Sequence, residues 1–228
     1  MTYLLLEGGA EFGGRMSEPD LRAVELAGGL QASIAILPTA AAPDDNDLRA
    51  GRNGQRWFES LGVSRVDLVP AIDKQSADNP DFAMRVKAAN LIYLLGGFPR
   101  YLCETLRDSQ VWLAALDAHR SGAVIAGSSA GAMVLCEHYY DPDQEKLLPG
   151  LDLLKNICIL PHHNRFGKGW APKLRSLIPQ ATLLGIDEQT GVIIDALDEA
   201  WTVYGAGRAT LYRGKQIEVH PRGEQFRL

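Results

Sequence analysis

The residues best suited to chemistry in this chain lie in the run Gly127-Ser128-Ser129-Ala130-Gly131. An apolar stretch, Ala123-Val124-Ile125-Ala126, leads into it, and Ala132-Met133-Val134-Leu135-Cys136 reads as a helix continuing from it. A serine on a sharp turn from strand to helix projects its hydroxyl above the sheet, and flanking glycines relieve the crowding of such a turn. The first N–H groups of the new helix have no partner inside it and favour a developing negative charge. Ser129 holds the central position and is the expected nucleophile in place of Ser128. The Ala130 amide is a candidate donor to an oxyanion. The pentapeptide also occurs in ordinary strand-to-helix turns, so its place after a buried strand is what gives it weight.

A serine nucleophile needs a base, and the base needs an acid to orient it. The chain has five histidines. His220 lies in a polar tail, His119 reads as a solvated helix end beside Arg120, and His138 follows the nucleophile helix. His162 and His163 come directly after the apolar run Ile157-Cys158-Ile159-Leu160, where a sheet protein would place a general base. Pro161 fixes the chain just before them, and the spacing leaves both histidines open. Asp187 and Glu188 follow Leu184-Gly185-Ile186 in the same way, with an exposed turn as the plain alternative. Leu94-Leu95-Gly96-Gly97-Phe98 is a further strand end, and the Gly97 amide is a second candidate oxyanion donor.

The elements that must position these groups alternate along the chain. Strands are predicted over Tyr3–Leu6, Ser33–Leu37, Val66–Val69, Leu91–Leu95 and Val124–Ala126, with helices over Pro19–Leu26, Asp47–Leu61, Pro80–Ala89 and Tyr101–His119, the last split near Ser109. That alternation predicts an α/β fold, a mostly parallel sheet with helices on both faces. After Pro179 the strands Thr182–Ile186, Gly191–Asp195, Ala200–Tyr204, Ala209–Tyr212 and Gln216–Val219 follow closely, as a final parallel strand and C-terminal antiparallel hairpins. In such sheets ligands bind beyond the carboxyl ends of the strands, where the candidate residues fall. No repeat or linker divides residues 1–228, which read as one domain.

Composition bounds the partners. The 228 residues are 46% hydrophobic and 22% charged, with net charge −5 and no basic block of the kind that favours nucleic acid. Three cysteines without CxxC spacing, Cys103, Cys136 and Cys158, read as reduced thiols. The start of the chain reads as a strand and not as a signal peptide, and no apolar run is long enough for a membrane helix, so a cytoplasmic protein is expected. Edge strands in the tail offer a surface for a homodimer.

Taken in order, Gly8-Gly9-Ala10-Glu11, Gly96-Gly97, the Ser129 pentapeptide, Pro161-His162 and Gly185-Ile186-Asp187-Glu188 resemble the serine peptidases that include aspartyl dipeptidase (peptidase E) and cyanophycinase. The resemblance spans nearly the whole chain. It implies a fold similar to class I glutamine amidotransferases, flavodoxin-like, with serine in place of the amidotransferase cysteine. It also implies Ser129 as nucleophile, His162 as base and Glu188 as orienting acid, with Gly97 and Ala130 donating to the oxyanion. The expected substrate is a small peptide or amide, cleaved without metal or organic cofactor. Two places depart from the cyanophycinase pattern: Leu160-Pro161 stands where an Asp-Gln pair precedes the histidine, and Phe98-Pro99 where a polar pair follows the glycines. Phe98, Arg165 and Lys168 are the candidates for contacting substrate, the two cations for a side-chain carboxylate, with solvated loop cations as the plain alternative. A non-catalytic binding protein of this fold, or an esterase or amidase on non-peptide substrates, are the competing readings.

Overall fold

The computed structural model describes residues 3–195 and 200–228, so Met1 and Thr2 of the expected N-terminal strand lie outside the described residues. The elements run β1 (Tyr3–Glu7), α1 (Ser17–Leu26), β2 (Ser33–Leu37), α2 (Asp47–Ser60), β3 (Arg65–Leu68), α3 (Lys74–Ala77), α4 (Pro80–Lys87), β4 (Leu91–Leu94), α5 (Pro99–Leu106), α6 (Gln110–Arg120), β5 (Val124–Ser128) and α7 (Ala130–Val134). They continue with β6 (His138–Asp141), β7 (Lys146–Pro149), β8 (Ile157–Leu160), α8 (Ala171–Leu177), β9 (Thr182–Ile186), β10 (Thr190–Asp195), β11 (Ala200–Gly205), β12 (Arg208–Arg213), β13 (Gln216–Pro221) and β14 (Gln225–Phe226).

The main sheet has the order β14-β11-β10-β1-β5-β4-β2-β3. From β1 to β3 every pairing is parallel, and β10 turns antiparallel against β1. The period-two alternation of strand side chains builds two cores. Leu4, Leu6, Ile92, Leu94 and Ile125 point to one face, with Leu102, Leu106, Val111 and Trp112 of α5 and α6. Leu5, Ile34, Ile36, Tyr93, Val124 and Ala126 point to the other, against Phe58 of α2. The Ser109 hydroxyl accepts the Trp112 amide at 3.1 Å and starts α6, which is why the predicted long helix divides there. Asn79 caps α4 in the same way, with Pro80 in its first turn.

Three features differ from the sequence reading. The predicted nucleophile helix stops at Val134, because Leu151, Leu153 and Leu154 donate to the Val134 and Leu135 carbonyls and draw the chain into an extended bridge between Cys136 and Leu154. The tail divides between two sheets: β10, β11 and β14 extend the main one, while β13-β12-β9-β8 form a second. The β6–β7 hairpin was not expected; its Tyr139 and Tyr140 are buried in packing. Among the described residues no helix is long and apolar enough to cross a membrane, and the three cysteines are free and buried.

Candidate active site

Four strand ends meet at one point. Ser129 follows β5, His162 follows β8, Glu188 follows β9, and the loop after β1 lies between them. Backbone hydrogen bonds tie these loops together. The Ser129 amide donates to the Glu7 carbonyl at 3.0 Å, the His162 amide to the Gly8 carbonyl at 2.7 Å, and the Gln189 amide to the Gly9 carbonyl at 3.0 Å. The side chains then form a row: Ser129 Oγ stands 2.9 Å from His162 Nε2, and His162 Nδ1 stands 2.8 Å from Glu188 Oε1. Glu188 itself is fixed by its amide, which donates to Asn164 Oδ1 at 2.9 Å.

The row is held on strained backbone. Ser129 has φ 50°, His162 φ 47° and Gln189, beside Glu188, φ 54°. Residues with a Cβ adopt such angles only where their surroundings enforce them, and functional sites are where they cluster. At the serine turn the enforcement is close packing: a Cβ on Gly131 would stand 2.2 Å from the Leu94 carbonyl oxygen. His162 is sandwiched. A Cβ on Gly9 would lie 2.3 Å from its Cε1, so only glycine lets the first loop press against that face of the ring. On the ring's other side Phe166 stacks at 4.8 Å between centroids and 27° between planes, although 54% of Phe166 stays exposed. Sequence reasoning missed Phe166; its signal was an aromatic four residues past the candidate base.

The structure also separates the paired candidates. His163 turns away from Ser129 and is buried, its Nε2 2.8 Å from the Tyr212 hydroxyl and its Nδ1 3.6 Å from Asp187 Oδ1. His162 and Glu188 thus form one row and His163 and Asp187 another. The hydrogen bond from His162, with the Arg165 cation beside it, holds the Glu188 carboxyl below its usual range. Arg165 Nε lies 3.1 Å from Glu188 Oε2, so this cation is engaged with the acid. Arg165 and Lys168 border a cavity of about 440 Å³ with His163, Asp187 and Arg208. Phe98 is half-buried at the start of α5, its amide donating to the Ala40 carbonyl. The histidine read as a solvated helix end, His119, is buried instead, its Nδ1 2.9 Å from the Ala123 carbonyl, because α6 packs that end against the sheet.

Gly97 and Ala130 both stand at turns beside Ser129, after β4 and at the start of α7, and among the described residues neither amide donates to another group. Beneath the serine turn lies an acidic layer that sequence reasoning did not find. Glu7 and Asp20 are fully buried, and among the described residues Glu7 Oε1 and Asp20 Oδ1 have no hydrogen-bond partner. Tyr93 donates to Glu7, and Trp57 Nε1 to Asp20 at 2.7 Å. Burial pushes the Glu7 carboxyl well up and raises Asp20 to about 7. Closer to the surface, Ser128 Oγ donates to Glu11 Oε2 at 3.0 Å.

Known proteins share this arrangement of chain. The sequence model of Peptidase family S51 matches residues 4–199. The cyanophycinase of Trichormus variabilis is 27% identical over 222 residues, covering 92% of this chain and 73% of that protein. The cyanophycinase of Geminocystis herdmanii is 26% identical over 234 residues, 98% of this chain and 85% of its own. Among solved structures, a peptidase from an acI-B1 Actinobacterium superposes with TM-score 0.89 at 28% identity, covering 100% of this chain and 97% of that one. A putative peptidase E from Listeria monocytogenes EGD-e matches in fold with TM-score 0.64 at 20% identity, over 97% of this chain and 98% of its own.

Proposed function

The chain belongs to peptidase family S51 and is a serine peptidase, and we propose that it hydrolyses a small peptide or amide through an acyl-enzyme on Ser129. The observation that carries this reading is the unbroken row from Ser129 Oγ through His162 to Glu188, at 2.9 and 2.8 Å. Hydrogen-bond reach between nucleophile and base, with the base oriented by a third group, is the geometry covalent catalysis needs.

The steps follow from the atoms. Ser129 Oγ attacks the substrate carbonyl carbon while His162 Nε2 takes its proton. Glu188, ionised and hydrogen-bonded to Nδ1–H, keeps the ring in the right tautomer and stabilises the imidazolium. The Ala130 and Gly97 amides face the oxygen on which charge develops. His162 then passes its proton to the leaving amine. A water, deprotonated by the same nitrogen, releases the acid and restores the serine. Phe166 and the Gly9 backbone confine the imidazole to the plane in which both transfers occur.

A small peptide or amide suits the site better than cyanophycin, the substrate named for the relatives. Where cyanophycinases carry polar pairs this chain has Leu160-Pro161 and Phe98-Pro99, and Leu160 is wholly buried. Steady-state assays on dipeptides, amino-acid amides and simple esters, with wild type and Ser129→Ala, test the proposal. Turnover of a dipeptide or amide that Ser129→Ala lowers about 10⁴-fold or more is the expected result; undiminished turnover in the variant contradicts it.

A further inference from the structure

Beyond Glu188 the hydrogen-bonded row continues to Arg165, whose Nε reaches Oε2 at 3.1 Å, and Arg165 borders a hollow outside the row. Strand side chains alternate between faces, so Arg208, Thr210 and Tyr212 of β12 share one face. Val219 and Ile217 of β13 lie opposite Thr210 and Tyr212 on that face. His163 packs against it, its Nε2 2.8 Å from the Tyr212 hydroxyl. The imidazole fits because Gly185 of β9, paired with Thr210, has no side chain: a Cβ there would stand 2.3 Å from His163 Cδ2. The loop after His163 brings Arg165 and Lys168 to the same space, the cavity of about 440 Å³. Among the described residues neither Ser129 nor His162 lines it.

The hollow carries unspent positive charge. Lys168 forms no ion pair among the described residues. Arg208 Nε stands 3.8 Å from Asp187 Oδ2, which already accepts the Arg208 amide at 3.2 Å. Three cations thus face two carboxylates, Asp187 and Glu188. A second observation points to a ligand. Thr210 is only 5% exposed and lines the hollow, yet among the described residues its hydroxyl has no hydrogen-bond partner. Buried polar groups are as a rule paired, so an unpaired hydroxyl facing such a space is a contact waiting for its ligand. Beside it Ile217 and Val219 are exposed and apolar.

We propose that this hollow is an effector site for a small molecule carrying a carboxylate or phosphate on an apolar body, and that the bound anion raises the rate of attack by Ser129 through Arg165. The anionic group meets Lys168, Arg208 and the Thr210 hydroxyl through charge-assisted hydrogen bonds, and the body lies on Ile217 and Val219. The link to catalysis rests on Ser129, His162 and Glu188 acting as proposed above. Arg165 is shared, so a bound anion competes with Glu188 for it. The anion also brings negative charge of its own. Both changes favour the imidazolium that His162 becomes during attack, so they act in the same direction.

The test compares phenyl phosphate, benzoate and, as the neutral control, benzyl alcohol at constant ionic strength. Isothermal titration calorimetry measures their binding to wild type, Lys168→Ala/Arg208→Ala, Thr210→Val and Lys155→Ala, the last a control at a surface lysine paired with Asp152. At least one anion is expected to bind wild type and Lys155→Ala alike. It binds the double variant about 10-fold or more weakly and Thr210→Val about 2- to 10-fold more weakly. The tighter anion identifies the source as phosphate or carboxylate. Failure of both anions to bind wild type at millimolar concentration overturns the proposal, as do benzyl alcohol binding equally well and undiminished binding to the double variant. The link to catalysis is read from the rate at which a simple alkyl fluorophosphonate labels wild type, timed by intact mass. A rise of about 5-fold at saturating anion is expected. An unchanged rate overturns the link, and so does a slower one, the mark of an anion sitting in the substrate site. A folded wild type that takes up no label with or without anion contradicts Ser129 as nucleophile, and the calorimetry still decides the hollow.

Discussion

His162 works against its own backbone preference, and two neighbours hold it there. Its φ of 47° is paired with an amide bound to the Gly8 carbonyl, and its ring lies between Gly9 and Phe166. Because a Cβ at position 9 would fall 2.3 Å from the ring, Gly9→Ala is expected to displace the imidazole and lower kcat about 10²-fold, the cost of a misplacement on the order of 1 Å. Kinetics beside a urea unfolding curve check that the loss exceeds any loss of folded protein. Glu188→Gln keeps the shape of the side chain but removes the charge that faces the imidazolium. It is expected to lower kcat by about 10³- to 10⁴-fold, and a loss of less than tenfold would place the orienting acid elsewhere. The residue types of this row were readable from strand-end positions, yet the choice between His162 and His163 was not. Consecutive side chains leave the chain in opposite directions, and only the paths of β8 and β9 decide which of them meets Ser129 and which meets Tyr212.

At the scale of elements, the parallel half of the main sheet was legible because β1, β5, β4 and β2 are almost wholly buried and read as apolar runs, while the edge strand β3, Arg65-Val66-Asp67-Leu68, is partly exposed. The split of the tail into two sheets was not. β9 and β10 are both short and apolar and are separated only by Asp187, Glu188 and Gln189, and nothing local says that one pairs with β8 and the other with β1. The short α7 has the same kind of cause, since its end is set where the amides of Leu151, Leu153 and Leu154 donate to the Val134 and Leu135 carbonyls. The serine turn depends on contact between elements as well. Gly131 passes so near the Leu94 carbonyl that Gly131→Ala must part α7 from β4, and a destabilisation of about 1–3 kcal/mol or more is expected in urea unfolding. A neutral result would mean that the turn relaxes without moving the sheet.

For the molecule as a whole, the buried acids beneath the site link stability to pH. Desolvation raises the Asp20 carboxyl to about 7, whereas an unfolded chain ionises it near the ordinary value of about 3.9. Below both values the two states hold the same proton. Between them the unfolded chain loses its proton while the folded one keeps it, so stability falls as pH rises and levels off above about 7. Asp20→Asn is expected to flatten this dependence, its amide oxygen still accepting from Trp57, and urea unfolding at pH 5 and pH 8 in both proteins measures it. The central proposal is a single activated hydroxyl, that of Ser129, at the meeting of the strand ends. Fluorophosphonate treatment of wild type, Ser129→Ala and His162→Ala, read by intact mass, tests it most directly. One adduct on the wild type, absent from Ser129→Ala and strongly slowed in His162→Ala, is the expected result. A folded wild type that takes up no adduct, or a Ser129→Ala protein that labels as fast as wild type, would contradict it.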